Sequence, residues 1–253
     1  MACKSDYIAV FDSGVGGISV LKELVKLMPG ENYLYFGDSA NAPYGKKTTE
    51  EVRQLTLQNA KMLLGGNVKA LVVACNTATS AAIDLLRQTF SDKIILGIEP
   101  ALKPAIQQFP TGTIGIMATE VTLREEKLQR LMAQFDTASV ERISAPGLVE
   151  LIEAGKADSA ETEALLRQLL APYAGKLDAL VLGCTHYPFV KDSLCRILGE
   201  NTLLFDGGEG TARQTQRLLE QAGLLNEGEG SVVMENSAGT PALLELGYRL
   251  LEK

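Results

Sequence analysis

Leu71-Val-Val-Ala-Cys75-Asn76-Thr77 and Leu180-Val-Leu-Gly-Cys184-Thr185-His186 share one pattern: a short aliphatic run, a small residue, a cysteine, then hydrogen-bonding side chains. A continuous apolar run this short suits a strand buried on both faces of a parallel sheet. The polar residues that follow mark the hand-over from strand to turn and helix. Two such segments, far apart in one chain, imply a repeated α/β unit with a thiol at an equivalent strand end in each copy.

Working outward, further Val-, Ile- and Leu-rich runs occur at 7–11, 33–37, 94–98, 113–117, 140–144 and 203–206. Between them lie stretches with helical spacing at 18–26, 49–64 (with Thr49 as a candidate cap), 78–89, 120–135, 159–174 and 210–222. This alternation predicts a doubly wound α/β fold. The strands fall into two sets of four, and the offsets from Tyr7 to Thr113, Tyr33 to Val140, Ala70 to Ala179 and Ile94 to Thr202 stay within about 106–109 positions. The expectation is therefore two similar α/β domains with mainly parallel sheets, related by pseudo-twofold symmetry, with the active site in the cleft between them. Their boundaries would be 1–99 plus 208–253 for the domain that carries Cys75, and 100–207 for the domain that carries Cys184. The tail from about 211 would pack back on the first domain. Ligands of open α/β sheets sit beyond the carboxyl ends of the strands.

With 253 residues, 46% hydrophobic and 22% charged, the chain has the make-up of a soluble globular protein. A net charge of −7 without a dense basic run argues against nucleic acid as the main partner. No apolar run approaches a membrane span, and the N-terminus lacks the pattern of a secretory signal, so a cytoplasmic location is expected. The four cysteines lack CxxC spacing, so they read as free thiols rather than a zinc or redox motif. Cys3, near the terminus, and Cys195, in an expected helix, read as structural.

A thiol at a strand end can be tuned by backbone N–H groups and a positive helix end. His186 is the only histidine. It reads as a proton-transfer or thiolate-stabilising group, or as a packed turn residue. A zinc reading needs more ligands than this segment offers. In Asp12-Ser13-Gly14-Val-Gly-Gly17, exposed N–H groups at a helix start can hold a carboxylate, while the spacing matches neither phosphate-binding pattern. Asp12 is either a cap or the charged partner of a thiol or of a substrate ammonium. Tyr44 and Gly45 follow the second strand in a polar loop, offering a hydroxyl and an accessible N–H. Thr119 reads as a substrate hydroxyl and Thr122 as a helix cap. Glu150 reads either as a solvated helix residue or as the carboxylate that orients His186. A nucleotide-binding α/β module leaves the paired cysteines unexplained, and a non-catalytic amino-acid binder would leave the optical activity of its ligand unchanged.

The segments FDSGVGG, FGDSANAPYG, VVACNTATSAA, GIEPALKPA, GIMAT and LVLGCTHYPFV, in this order, resemble the glutamate racemase family over nearly the whole chain. The paired cysteines are common to the broader aspartate/glutamate racemase group, and DSGVGG with APYG resembles the glutamate branch. The resemblance implies Cys75 and Cys184 as the proton-transfer residues, assisted by Asp12 and His186. It implies a glutamate site formed by Asp12, Ser13, Tyr44, Gly45, Asn76, Thr77, Thr119, Thr185 and His186. It further implies no cofactor and no metal, a homodimer, and supply of D-glutamate for peptidoglycan. Around Glu150 the chain reads SAPGLVE, where the family pattern is CPLxVxLVE.

Overall fold

The computed structural model describes residues 2–124, 128–129, 132 and 138–253. The chain divides into two compact units, one formed by Met1–Glu99 with Gly208–Lys253 and the other by Pro100–Gly207.

The first unit is built on a parallel five-stranded sheet of β1 (Tyr7–Asp12), β2 (Asn32–Gly37), β3 (Val68–Val73), β4 (Ile94–Gly97) and β9 (Ser231–Asn236), ordered β4-β3-β1-β2-β9. Side chains alternate between the faces of a strand. Ala9, Phe11, Leu71 and Val73 form one buried cluster with residues of α2 (Thr49–Leu64) and α3 (Asn76–Thr89). Ile8, Val10 and Val72 are fully buried on the opposite face, on the side of α1 (Ile18–Leu27).

The second unit is a parallel four-stranded sheet of β5 (Thr113–Ala118), β6 (Ser139–Ser144), β7 (Ala179–Leu182) and β8 (Leu203–Asp206), ordered β6-β5-β7-β8. Ile114, Ile116, Ala179 and Val181 pack with α4 (Leu102–Gln108) and with Leu123 of α5 (Glu120–Arg124). Met117, Leu180 and Leu182 pack with α6 (Leu148–Glu153), α7 (Ala160–Leu170) and α8 (Lys191–Leu198). Two-sided burial is the reason the inner strands β5 and β7 read as continuous apolar runs. Taken in chain order within each set, both sheets have the order fourth-third-first-second. The regular offset in sequence therefore corresponds to one topology used twice.

The chain returns to the first unit through α9 (Gly208–Gln221), β9 and α10 (Pro241–Glu252). β9 is absent from the sequence expectation because it is an edge strand in which only Met234 is buried, and its apolar run is just Val232-Val233-Met234. One cap and one helix expectation also change. Thr48, not Thr49, caps α2: its hydroxyl accepts from Glu51 N at 3.3 Å, and Glu51 Oε2 accepts from Thr48 N at 2.8 Å. The helix expected at 120–135 is described as Glu120–Arg124, and most of the rest of that span lies outside the described residues.

Candidate active site

β3 delivers Cys75 to the start of α3. The helix begins at Asn76, two residues earlier than expected, and Cys75 is its N-cap, with Sγ accepting from Ala78 N at 3.4 Å. The thiol thus sits at the positive end of a 14-residue helix, where backbone N–H groups favour negative charge on sulfur. Just before it, Ala74 N donates to Phe11 O at 2.7 Å. In the second unit Gly183 N donates to Met117 O, also at 2.7 Å, just before Cys184. The two thiols therefore follow equivalent backbone positions, one beyond a hydrogen bond to the neighbouring central strand. Gly183 is required there, since a Cβ would stand 2.8 Å from Ala118 Cβ.

β1 ends at Asp12, which is fully buried. Its Oδ1 accepts from Gly14 N at 2.8 Å and from Ser13 Oγ at 3.4 Å, and Ser13 Oγ accepts from Cys75 Sγ at 3.6 Å. Ser13 thus links Asp12 to the thiol. Gly17 lets α1 approach this corner, because a Cβ there would lie 2.7 Å from Asp12 Cβ and 3.0 Å from Ala74 Cβ. Asn76 and Thr77 are buried in the first turn of α3. The Asn76 Oδ1 is buried without a hydrogen-bond partner among the described residues, an expensive state for an acceptor in a packed interior.

Tyr44 is buried, with its ring 6.4 Å from that of Phe11. Its hydroxyl donates to Asp38 Oδ2 at 2.6 Å, so the proton expected for a ligand is engaged by a carboxylate. Burial first, then Asp38, pushes the phenol far up. Gly45 lies beside it, half-buried in a short 3-10 turn.

Cys184 is followed by a 3-10 turn at Tyr187–Val190 rather than directly by an α-helix, and its partner is a side chain. His186 Nδ1 is 3.6 Å from Cys184 Sγ, and His186 Nε2 is 2.6 Å from Glu153 Oε1. Burial opposes charge on this imidazole, but the hydrogen bonds to Cys184 and Glu153 outweigh it and hold the ring well above the ordinary histidine range. The carboxylate on His186 is Glu153, a residue not singled out from the sequence, where Glu150 reads either as this carboxylate or as a solvated helix residue. Glu150 lies one turn earlier on α6, where its charge, after burial and Cys184, helps push the Tyr187 phenol up. Thr185 is buried beside Cys184. Thr119 Oγ1 accepts from Thr122 N at 3.3 Å, so the capping side chain is Thr119 rather than Thr122, which is buried in the first turn.

Cys3 and Cys195 are exposed free thiols. Among the described residues no group of three or more His, Cys, Asp and Glu side chains gathers as a metal site. No helix among them is long and apolar enough to cross a membrane.

Residues 8–215 match the family model described as Asp/Glu/Hydantoin racemase. The glutamate racemase of Clostridium botulinum is 47% identical, with 98% of each chain covered. Among solved structures, the glutamate racemase of Thermus thermophilus in complex with β-chloro-D-alanine is 38% identical, with a TM-score of 0.83 over 98% of this chain and 94% of that one. The Francisella tularensis glutamate racemase in complex with D-glutamate is 27% identical, with a TM-score of 0.85 over 99% and 95%. Matched over its length in sequence and in fold, the chain belongs to the Asp/Glu/Hydantoin racemase family, within its glutamate racemase branch.

Proposed function

We propose that this chain interconverts L- and D-glutamate by a two-base reaction in which Cys75 and Cys184 act on opposite faces of Cα. The observation that carries the reading is the pair of buried thiols at equivalent strand ends, each held by its own polar partner. Packing alone does not call for such a match.

The chemistry requires two groups. The Cα–H of an amino acid is a very weak acid, and a single base would return the proton to the face from which it came. One sulfur, as thiolate, removes the proton, and the other, as thiol, delivers one from the opposite side. After turnover the two have exchanged protonation states, so the reverse reaction needs no further reagent. Thiols suit the task because their ordinary value of about 8.5 lies near working pH. Cys75 acts on D-glutamate and Cys184 on L-glutamate. Asp12, through Ser13, steadies the Cys75 side, while His186, backed by Glu153, steadies the Cys184 side.

Asn76, Thr77 and Thr185 supply hydrogen-bonding groups to the substrate, and Ser13 and the turn at Tyr44–Gly45 complete its surroundings. The orphaned Asn76 Oδ1 is an acceptor suited to the substrate ammonium. Donors around the α-carboxylate stabilise the charge that develops as the proton leaves. In this reading the enzyme needs neither cofactor nor metal, works as a cytoplasmic homodimer and supplies D-glutamate for peptidoglycan. The aspartate racemase of Picrophilus torridus shares the fold at 15% identity and a TM-score of 0.57, and initial rates with glutamate and aspartate separate the two activities.

The decisive test is circular dichroism of L-glutamate incubated with purified protein and no added cofactor. The optical signal should decay to zero. A signal that persists at every protein concentration sinks the proposal.

A further inference from the structure

β2 and β9 run parallel and in register from Asn32 opposite Ser231 to Gly37 opposite Asn236. The next residue of each strand, Asp38 and Ser237, therefore leaves the sheet side by side, although 199 positions separate them. Ser237 N donates to Gly37 O at 3.0 Å, its hydroxyl donates to Asp38 Oδ1 at 2.7 Å, and it accepts from Ala40 N at 3.0 Å. One exposed serine thus ties the C-terminal return to the loop that begins at Asp38.

Asp38 is the hub of that loop and is itself almost fully buried. Its oxygens also accept from Tyr44 OH at 2.6 Å, from Asn59 Nδ2 at 3.0 Å and from Asn41 Nδ2 at 3.0 and 3.1 Å. Asn59 Nδ2 approaches Tyr44 OH at 3.3 Å as well. Burial works against the charge, but these donors prevail and keep Asp38 below the usual carboxylate range. At the far side of the hub, Tyr44 shares a buried cluster with Cys75. The path from the C-terminal return to the half-site of Cys75 runs from Ser237 to Asp38 and from Asp38 to Tyr44 by hydrogen bonds, and from Tyr44 to Cys75 through their shared buried cluster.

The geometry points to Ser237 as a positioning residue of the reaction, one that sets the loop carrying Tyr44 and Gly45 through Asp38 without touching substrate. This inference rests on the glutamate reading above. Because the tie fixes the loop and not the sulfur, its loss weakens substrate binding more than proton transfer. A serine with only a structural part would lower the melting temperature and leave the kinetic constants as they were.

The test compares wild type with Ser237→Ala and Ser237→Thr in both directions of racemisation, with circular dichroism to verify folding. Ser237→Ala should raise KM about tenfold, the scale of one hydrogen bond to a charged group, with kcat within about twofold. Ser237→Thr, which keeps the hydroxyl, should return KM to the wild-type value. A wild-type KM in Ser237→Ala overturns the inference, as does a fall in kcat at unchanged KM. A wild type that racemises nothing removes instead the reading on which the inference stands.

Discussion

His186 Nε2 lies 2.6 Å from Glu153 Oε1, so the only histidine of the chain joins a carboxylate on α6 to the sulfur of Cys184. Its raised value has a definite consequence for stability. A group raised on folding lends stability that is complete below its unfolded value of about 6.5 and is lost as pH rises through the folded value.

Glu153→Gln should bring the midpoint of His186 down. One histidine gives one set of imidazole nitrogen resonances, so the titration is read without assignment. Wild type should remain imidazolium through neutral pH. The stability difference between wild type and variant should be largest between about pH 5 and 6.5 and should narrow as the wild-type ring loses its proton. A wild-type ring that titrates at or below its ordinary value contradicts the arrangement.

Cys75→Ser and Cys184→Ser should each lower racemisation by about three orders of magnitude or more with the fold retained, because a serine hydroxyl is a far weaker acid than a thiol. In D₂O the wild type should place deuterium on Cα of the product enantiomer from the first turnovers. In Cys75→Ser, L-glutamate should still exchange its Cα–H with solvent through Cys184 while little D-glutamate forms. Near-normal racemisation by either variant excludes the two-base assignment.

What the sequence revealed follows from where side chains are buried. β1, β3, β5 and β7 lie inside their sheets with both faces covered, so their apolar runs stand out, and with them the two cysteines at their ends. β9 is paired on one edge only and its apolar run stops after Val232-Val233-Met234. That Glu150, and not Glu153, was the candidate weighed for His186 has a local cause: Leu148-Val-Glu150 and Leu151-Ile-Glu153 are the same motif one turn apart, and only the packing of α6 selects the second. The Tyr44 hydroxyl was beyond reach for a different reason, since its partner Asp38 is fixed by donors from three separate segments.

The buried pair Lys69–Glu31 should be costly to break on one side. Both side chains are almost fully buried. Lys69 Nζ donates to Glu31, to Lys4 O and, at 3.0 Å, to Leu224 O, while Glu31 Oε1 accepts from Asn226 N at 2.8 Å. The pair thereby fastens the N-terminal segment and the C-terminal return to the start of β3. Lys69→Met leaves a buried carboxylate without its cation and should cost about 3–5 kcal/mol in urea denaturation. Lys69→Met with Glu31→Leu should lose less than the single variant, because no charge is then stranded. Equal stability of Lys69→Met and wild type would show that Glu31 finds water or another cation.

Tyr187→Phe should, by contrast, leave stability intact or raise it. The ring is fully buried in the core that contains Cys184, and its hydroxyl has no hydrogen-bond partner among the described residues. Burial first, then the charges of Cys184 and Glu150, keeps that hydroxyl protonated. A buried hydroxyl without an acceptor carries a desolvation cost of about 1–3 kcal/mol, which phenylalanine removes while preserving the ring contacts. Equilibrium denaturation of the ligand-free protein should therefore show Tyr187→Phe equal to wild type or more stable by about 1 kcal/mol. A loss of stability on that scale would mean that the hydroxyl has an acceptor in solution, such as an ordered water beside Cys184.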